Sequence, residues 1–183
     1  FFPMNKGRHS GLLPPQFTTN EKFGLGLEGL GYYKVLNDYI DVTLRTNIYS
    51  YGGWSASITP SYRKRYRYNG QLNVNIQKTK FNFKGDPDFV KSNGFQINWS
   101  HSVDSRARPG TTFSASVTAG STKYNQFVPN NANINFNNSL NSSIAWSKTW
   151  VGKPYNLSIN ANHNQNNQQR LININLPDVG FSV

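Results

Sequence analysis

Residues 54–77 read WSASITPSYRKRYRYNGQLNVNIQ, and this stretch decides the fold. Apolar side chains occupy nearly every second position, and serine, asparagine, glutamine and arginine fill most positions between them. A period of two places successive side chains on opposite faces of an extended chain, which indicates β-strands rather than helices. The stretch therefore predicts strands with one apolar face and one polar, basic face.

The same alternation recurs along most of the chain. It is present in residues 40–48, 95–100, 113–119, 140–150, 155–162 and 172–176. Asn69-Gly70 predicts a hairpin turn, since a type I′ turn needs positive φ at both central residues. Long loops are expected over Lys78–Gly94 and Ser121–Asn138. We therefore expect an all-β protein, an antiparallel meander of about ten strands joined mostly by hairpins.

The composition excludes several classes of protein. The 183 residues carry a formal net charge of +11, and 14% of them are aromatic. A mean hydropathy of -0.62 is low for a packed globule, yet the aromatic content argues against disorder. The absence of cysteine excludes disulfides and thiolate metal sites. No apolar run reaches the length of a membrane-spanning helix.

Two architectures fit such a meander, a soluble β-sandwich and a transmembrane β-barrel. The alternating stretches are long, whereas soluble strands average about five or six residues and a spanning strand needs about 9–11. The polar positions hold mainly neutral amides and hydroxyls, and tryptophan and tyrosine lie near strand ends. These features favour an antiparallel transmembrane β-barrel segment that is part of a larger barrel. The central positions expected to face lipid are Leu44, Val74, Ile97, Val117 and Ile159.

The run YRKRYRY at residues 62–68 mixes arginine and tyrosine, as surfaces that bind single-stranded nucleic acid do. Here the tyrosines and arginines alternate onto opposite faces, so we expect no nucleic-acid partner. A basic patch in the barrel lumen, near the periplasmic rim, would instead suit phosphate groups, which guanidinium groups bind bidentately. Pairing of these arginines with Asp41 and Glu28 is an equal alternative. The predicted patch comprises Arg45, Arg63, Arg65 and Arg67.

The remaining motifs predict no chemistry. GLGLEG at residues 24–29 matches the dinucleotide pattern G-x-G-x-x-G, but no helical period follows it, so no cofactor is expected. None of the histidines has an acidic partner that the sequence places beside it. Asp86-Pro87-Asp88 is best interpreted as a plain turn. We therefore expect neither an enzyme nor a metal site.

The N-terminal residues carry a family resemblance. FFPMNKGRHSGLLPP at residues 1–15, followed by GLGYYKVLNDYIDVTL at residues 29–44, resembles the LptD family of lipopolysaccharide-assembly, organic-solvent-tolerance proteins. In that family a phrase similar to F-P-x-x-x-x-R-x-S-G-x-L-x-P leaves a periplasmic β-jellyroll and enters the barrel. The resemblance implies that residues 1–9 end the jellyroll. It also implies that residues 10–183 form the N-terminal strands of a barrel in the bacterial outer membrane.

The resemblance further implies a function. Such a protein takes lipopolysaccharide from a periplasmic bridge, releases the lipid chains between its first and last barrel strands, and passes the sugar through the lumen. Its implied partners are lipopolysaccharide, outer-membrane lipids, an LptE-like lipoprotein plug and the bridge proteins. Prolines in the first two strands loosen this lateral gate. Pro15 matches the first, Pro14 lies beside it, and Gly31 stands where the second falls. The alternatives are another outer-membrane barrel, such as a porin or adhesin, and a soluble β-sandwich binding module.

Overall fold

The computed structural model describes residues 7–127, 139–166, 169 and 171–183. These residues form one antiparallel sheet of eleven strands, with a single 3₁₀ turn at Asn125–Phe127. The strands are β1 (Gly11–Leu13), β2 (Gln16–Asn20), β3 (Gly24–Asn37), β4 (Ile40–Tyr49), β5 (Trp54–Lys64), β6 (Tyr68–Phe81), β7 (Val90–Val103), β8 (Thr111–Gly120), β9 (Ser139–Thr149), β10 (Asn156–Asn166) and β11 (Leu171–Ser182).

No helix among these residues is long and apolar enough to cross a membrane.

Strands that are neighbours in the chain are neighbours in the sheet, as the predicted meander requires. The order runs from β1 through β3 to β11, and β2 also pairs with β3. β1 and β2 share one register on β3, with Leu13 opposite Gly31 and Gln16 opposite Glu28. They therefore act as one interrupted strand. Within the described part of the chain, the outer edges of β1, β2 and β11 have no partner strand, and the sheet is open.

One face of the sheet, called the apolar face below, is lined with apolar side chains in rows across the strands. One such row contains Tyr32, Leu44, Ile58, Val74 and Ile97, each opposite the next. Leu44 and Ile58 remain 42% and 46% exposed, because no second sheet covers this face in the described residues. A sandwich buries such a face against another sheet. A bare apolar face of this extent contradicts the sandwich alternative and suits contact with a membrane.

All the residues predicted to face lipid lie on this apolar face. Leu44, Val74 and Ile97 belong to the row just described. Val117 is opposite Trp99, and the register carries this face through β8 and β9 to Ile159. The contact with lipid itself stays a prediction.

The hairpin turn predicted at Asn69-Gly70 is wrong. β5 continues to Lys64, the turn comprises residues 65–67, and Tyr66 adopts the positive φ of 58° there. Gly70 lies within β6 opposite Tyr62. A Cβ added to Gly70 would clash with the Tyr62 ring, so this glycine makes room for an aromatic side chain rather than for a turn.

The loop predicted over Lys78–Gly94 is also wrong for most of its length. β6 continues to Phe81 and β7 begins at Val90, so only residues 82–89 connect them. Lys80 pairs directly with Lys91 in this extension. The apolar alternation ends earlier than β6 itself, because lysines replace apolar side chains at positions 78 and 80. The loop predicted over Ser121–Asn138 is described only as far as residue 127.

Candidate functional site

The first strand of the sheet is interrupted at Pro14-Pro15. β1 ends at Leu13 and β2 begins at Gln16, and the two prolines between them have no N–H to donate. The pair therefore removes two backbone donors from the first strand of the sheet.

β3 is irregular at the same level. Its pairing with β4 shifts register between Leu27 and Leu30. Gly29, within this bulge, has a φ of 79° and donates its N–H to Asn47 Oδ1 at 2.8 Å rather than to a strand carbonyl. The register shared by β1 and β2 places Gly29 opposite Pro15. Consequently both ladders of β3 are weakened at one height.

Gly31 lies next to this break. It is opposite Leu13 on one side and Arg45 on the other. A Cβ added to Gly31 would be 2.1 Å from the backbone oxygen of Leu44, so the position tolerates no side chain without moving β4. The structure thus brings Pro14, Pro15 and Gly31 together at one sheet edge. Their role as a gate stays a prediction.

The segment that leads into β1 is tied to the β3–β4 hairpin. Arg8 donates one hydrogen bond to the carboxylate of Asp41 and another to the carbonyl oxygen of Asp38 at 3.1 Å. The bond to Asp41 raises the pKa of the Arg8 guanidinium. Ser10 Oγ accepts the N–H of Val35 at 2.9 Å. Arg8 and Ser10, the two specified residues of the R-x-S phrase in the family resemblance, therefore fix the start of the first strand through these hydrogen bonds.

The edge of the sheet carries bare apolar side chains. Leu12, Phe17 and Leu25 are 79%, 86% and 67% exposed. Leu12 lies opposite Tyr32 and Phe17 opposite Leu27, which places them on the apolar face. This strip of apolar surface runs along both sides of the proline break.

The predicted arginines lie in three separate places, and only Arg45 and Arg63 lie on the opposite face, called the polar face below. Arg45 lines a hollow of about 170 Å³ with Glu28. Arg63 lines a second hollow, of about 570 Å³, that also contains Arg8 and Asp41. The last two, Arg65 and Arg67, belong to the β5–β6 turn. They do not form one continuous patch, and phosphate binding by them stays a prediction.

The loop after β8 folds onto the polar face. Gln77 Nε2 donates to the carbonyl oxygen of Tyr124 at 2.8 Å, and Thr79 Oγ1 donates to that of Phe127 at 3.2 Å. Gln77, Thr79 and Asn125 are buried as a result. Burial also raises the pKa of the Tyr124 phenol.

An aromatic cluster supports this loop. Phe23 and Phe81 have ring centroids 4.8 Å apart, Phe23 and Tyr49 5.4 Å, and Phe81 and Phe127 5.4 Å. Phe23 and Tyr49 are among the few buried hydrophobic residues. This cluster was not predicted from the sequence, although Tyr49 and Phe81 stand at positions where the alternation otherwise places polar residues.

A second aromatic cluster lies on the apolar face at the other end of the strands. Tyr62 Oη and His101 Nδ1 are 2.7 Å apart, and Trp99 Nε1 donates to Tyr62 Oη at 3.0 Å. The rings of Tyr68 and Phe113 pack against His101. Aromatic side chains with polar tips are typical of the interface between membrane and water.

These features define a class of protein. An antiparallel meander with long strands, a bare apolar face, an amide-rich polar face and aromatic side chains towards its ends is the sheet from which outer-membrane β-barrels are built. The family model described as LptD protein matches residues 1–183, the whole chain. The chain therefore belongs to the LptD family, an outer-membrane family that transports lipopolysaccharide. A search of curated proteins found no match.

Proposed function

We propose that this chain forms the first strands of a larger outer-membrane barrel that inserts lipopolysaccharide into the outer leaflet. Residues 10–183 supply barrel strands, and β1 with β2 forms one side of a lateral gate. Residues 7–9 lead in from the periplasmic jellyroll, together with residues 1–6, which lie outside the described residues. Membership of the LptD family supports the substrate. The interrupted first strand supports the gate.

The proline break is the observation that carries the gate. Each donor that is missing on the free edge lowers the cost of separating the first barrel strand from the last, at the seam of the barrel, by about 0.5–1.5 kcal/mol. The bulge at Gly29 also interrupts the β3–β4 hydrogen bonds at this level, so regular pairing of β3 with β4 does not offset the bonds lost at the prolines. Leu12 and Phe17 then offer apolar surface to acyl chains beside the opening.

The polar face supports passage of the sugar. Its asparagine, serine and glutamine side chains can hydrogen-bond a carbohydrate, and Arg45 and Arg63 line its hollows. The loop at residues 121–127 covers part of this face. An LptE-like plug would occupy the remaining lumen, and bridge proteins would deliver the lipid, as in the family.

Photocrosslinking in cells tests the gate directly. A photoreactive residue replaces Leu12 or Phe17 at the seam, or Ile97 in the middle of the apolar face, in the whole protein. All three positions face lipid, but we expect lipopolysaccharide adducts to concentrate at the two seam positions. Equal yields at Ile97 would show bulk lipid contact and would remove the gate.

Restoring the missing donors provides a second test. Pro14→Ala combined with Pro15→Ala should close the seam and slow the arrival of new lipopolysaccharide at the cell surface. Pro60→Ala is the matched control, since Pro60 interrupts β5–β6 pairing between Ile58 and Ser61 in mid-sheet, far from the seam. If both variants export at the same rate, proline in the first strand does not set gate opening.

A further inference from the structure

We propose that Lys78, Lys80 and Lys91, called the lysine cluster below, form a binding site for the phosphate groups of lipopolysaccharide in the outer leaflet. The site lies on β6 and β7, on the apolar face. β3, β4 and β5 separate it from the seam of β1 and β2. The inference rests on the proposed membrane position of the sheet, but it concerns a lipid held beside the barrel rather than one passing through it.

The lysine cluster carries positive charge that no carboxylate of the described residues neutralises. Lys80 lies directly opposite Lys91, and Lys78 is two residues away on the same face. Like charges directly opposite in an antiparallel pair destabilise the sheet. In the described residues the ion pairs are Arg8–Asp41 and Arg106–Asp104, so no carboxylate neutralises the cluster. An anion from outside the chain would remove this repulsion.

The nearest acidic residues in the chain are used differently. Asp86 and Asp88 belong to the β6–β7 connection. Asp86 Oδ2 accepts the N–H of Phe83 at 3.0 Å, and the carbonyl of Asp88 accepts from Asn82. These bonds hold the connection in its own turn. In the described residues neither carboxylate forms an ion pair with the lysine cluster.

The lysine side chains of β6 project from the apolar face. Gln77 and Thr79 contact the loop on the polar face, so the alternating Lys78 and Lys80 project from the apolar face. A Cβ added to Gly52 would be 2.8 Å from Lys80 Nζ, which places this amine against the β4–β5 turn. The Lys80 amine therefore lies beyond the apolar rows, at the end of the sheet that carries the loop after β8. In the proposed function residues 7–9 enter from the periplasm at the opposite end, so this end lies in the outer leaflet.

The position of Lys80 along β6 sets its depth in the membrane. Val74 lies midway along β6 between Tyr68, in the aromatic cluster of the opposite end, and Lys80. Six residues at about 3.3 Å each span roughly 20 Å, which a tilt of about 40° reduces to roughly 15 Å along the membrane normal. Half of a hydrocarbon core of about 30 Å is the same length. Lys80 and Lys91 therefore lie at the edge of the hydrocarbon core when Val74 lies at the midplane, and their long side chains extend from there to the lipid phosphates.

The surroundings of the cluster fit an amphiphile. Trp54 is opposite Lys78 and is 43% exposed, as expected of a side chain in the interfacial belt. Ile76 and Phe95, opposite each other, are about half exposed just below it. A lipid with phosphates at its head would place those groups on the amines and its acyl chains along these apolar side chains.

The test uses the whole protein in detergent and fluorescently labelled lipopolysaccharide. Lys80→Gln combined with Lys91→Gln should weaken binding about 10- to 30-fold, since each lysine near a lipid surface contributes a factor of roughly ten or less. Lys80→Arg combined with Lys91→Arg should bind as the parent does. Lys34→Gln is the matched control, because Lys34 lies on the apolar face opposite Val42, nearer the other end of the sheet.

Competing probes separate the sources of phosphate. Dephosphorylated lipopolysaccharide should bind no better to the parent than to the double glutamine variant, and inorganic phosphate should compete only weakly. Equal binding of intact lipopolysaccharide by the double glutamine variant and the Lys34→Gln control would overturn the site. So would undiminished binding of the dephosphorylated lipid. Export of lipopolysaccharide should continue in the double variant. Absence of seam crosslinks would therefore refute the gate, whereas equal binding by the double glutamine variant and the Lys34→Gln control would refute the lysine site.

Discussion

Substitution of Gly31 by alanine tests how closely β3 and β4 approach beside the proline break. The added Cβ would be 2.1 Å from the Leu44 carbonyl oxygen and 3.2 Å from Arg45 Cγ. An ordinary carbon–oxygen contact is about 3.3 Å, so the strands must separate by about 1.2 Å at this level. The oxygen belongs to the backbone and cannot rotate away.

The magnitude follows from two terms. Overpacking of this kind costs about 1–3 kcal/mol, and weakening one hydrogen bond of the Gly31–Arg45 rung adds about 1 kcal/mol. We therefore expect Gly31→Ala to lower the free energy of unfolding by roughly 2–4 kcal/mol. The control is Gly11→Ala in β1, where an added Cβ meets no atom within 4 Å.

Urea unfolding of the whole barrel in lipid vesicles, followed by tryptophan fluorescence, measures the difference. Gly31→Ala should unfold at clearly lower urea than the parent, while Gly11→Ala should stay within about 0.5 kcal/mol of it. Coincident unfolding curves for the two alanine variants would refute the close approach of β3 and β4.

Three further predictions concern the seam, the faces and the loop. Arg8→Ala should free the segment before β1 and increase its proteolysis, whereas Arg106→Ala, which breaks an exposed local pair, should not. Leu44→Arg should block membrane assembly, at roughly 2–4 kcal/mol for a charge near the midplane, while Thr43→Arg should assemble; equal assembly, measured by heat-modifiable migration, would contradict the two faces. Thr79→Val should loosen the loop after β8 and raise ion conductance in planar bilayers, and unchanged conductance would mean that the loop does not restrict the lumen.

The strands could be predicted because period-two alternation is a local signal. Residues 40–48 pair with residues 54–62 without a register shift, and nearly every second residue of both strands is apolar. The predicted strand ends were wrong where the alternation stops before the strand does. Beyond Ile76 the outward positions become lysine while the backbone ladder continues, so a chemical boundary was interpreted as a structural one. The turn predicted at Asn69-Gly70 was wrong because the sequence does not show why a glycine is needed. Gly70 makes room for the Tyr62 ring within β6, whereas an Asn-Gly pair in a hairpin supplies positive φ.

The gate residues could be named from the resemblance, but their geometry could not. No local pattern shows that β1 and β2 share one register, that Gly29 bulges opposite Pro15, or that Gly31 touches the β4 backbone. The tie from Arg8 to Asp41 spans 33 residues and depends on the β3–β4 hairpin. Long-range contacts of this kind follow from the pairing of strands rather than from any single stretch of sequence.

Lipid contact of the apolar face is the central claim, and spin labels measure it most directly. Labels at Val74 and Ile159, with Asn75 as the neighbour on the polar face, are placed one at a time in the whole protein in membranes. The first two should show high collision rates with oxygen and low rates with a water-soluble nickel complex, and the label at Asn75 should show the reverse. Low oxygen access at Val74 and Ile159, or nickel access equal to that at Asn75, would contradict a membrane-facing sheet.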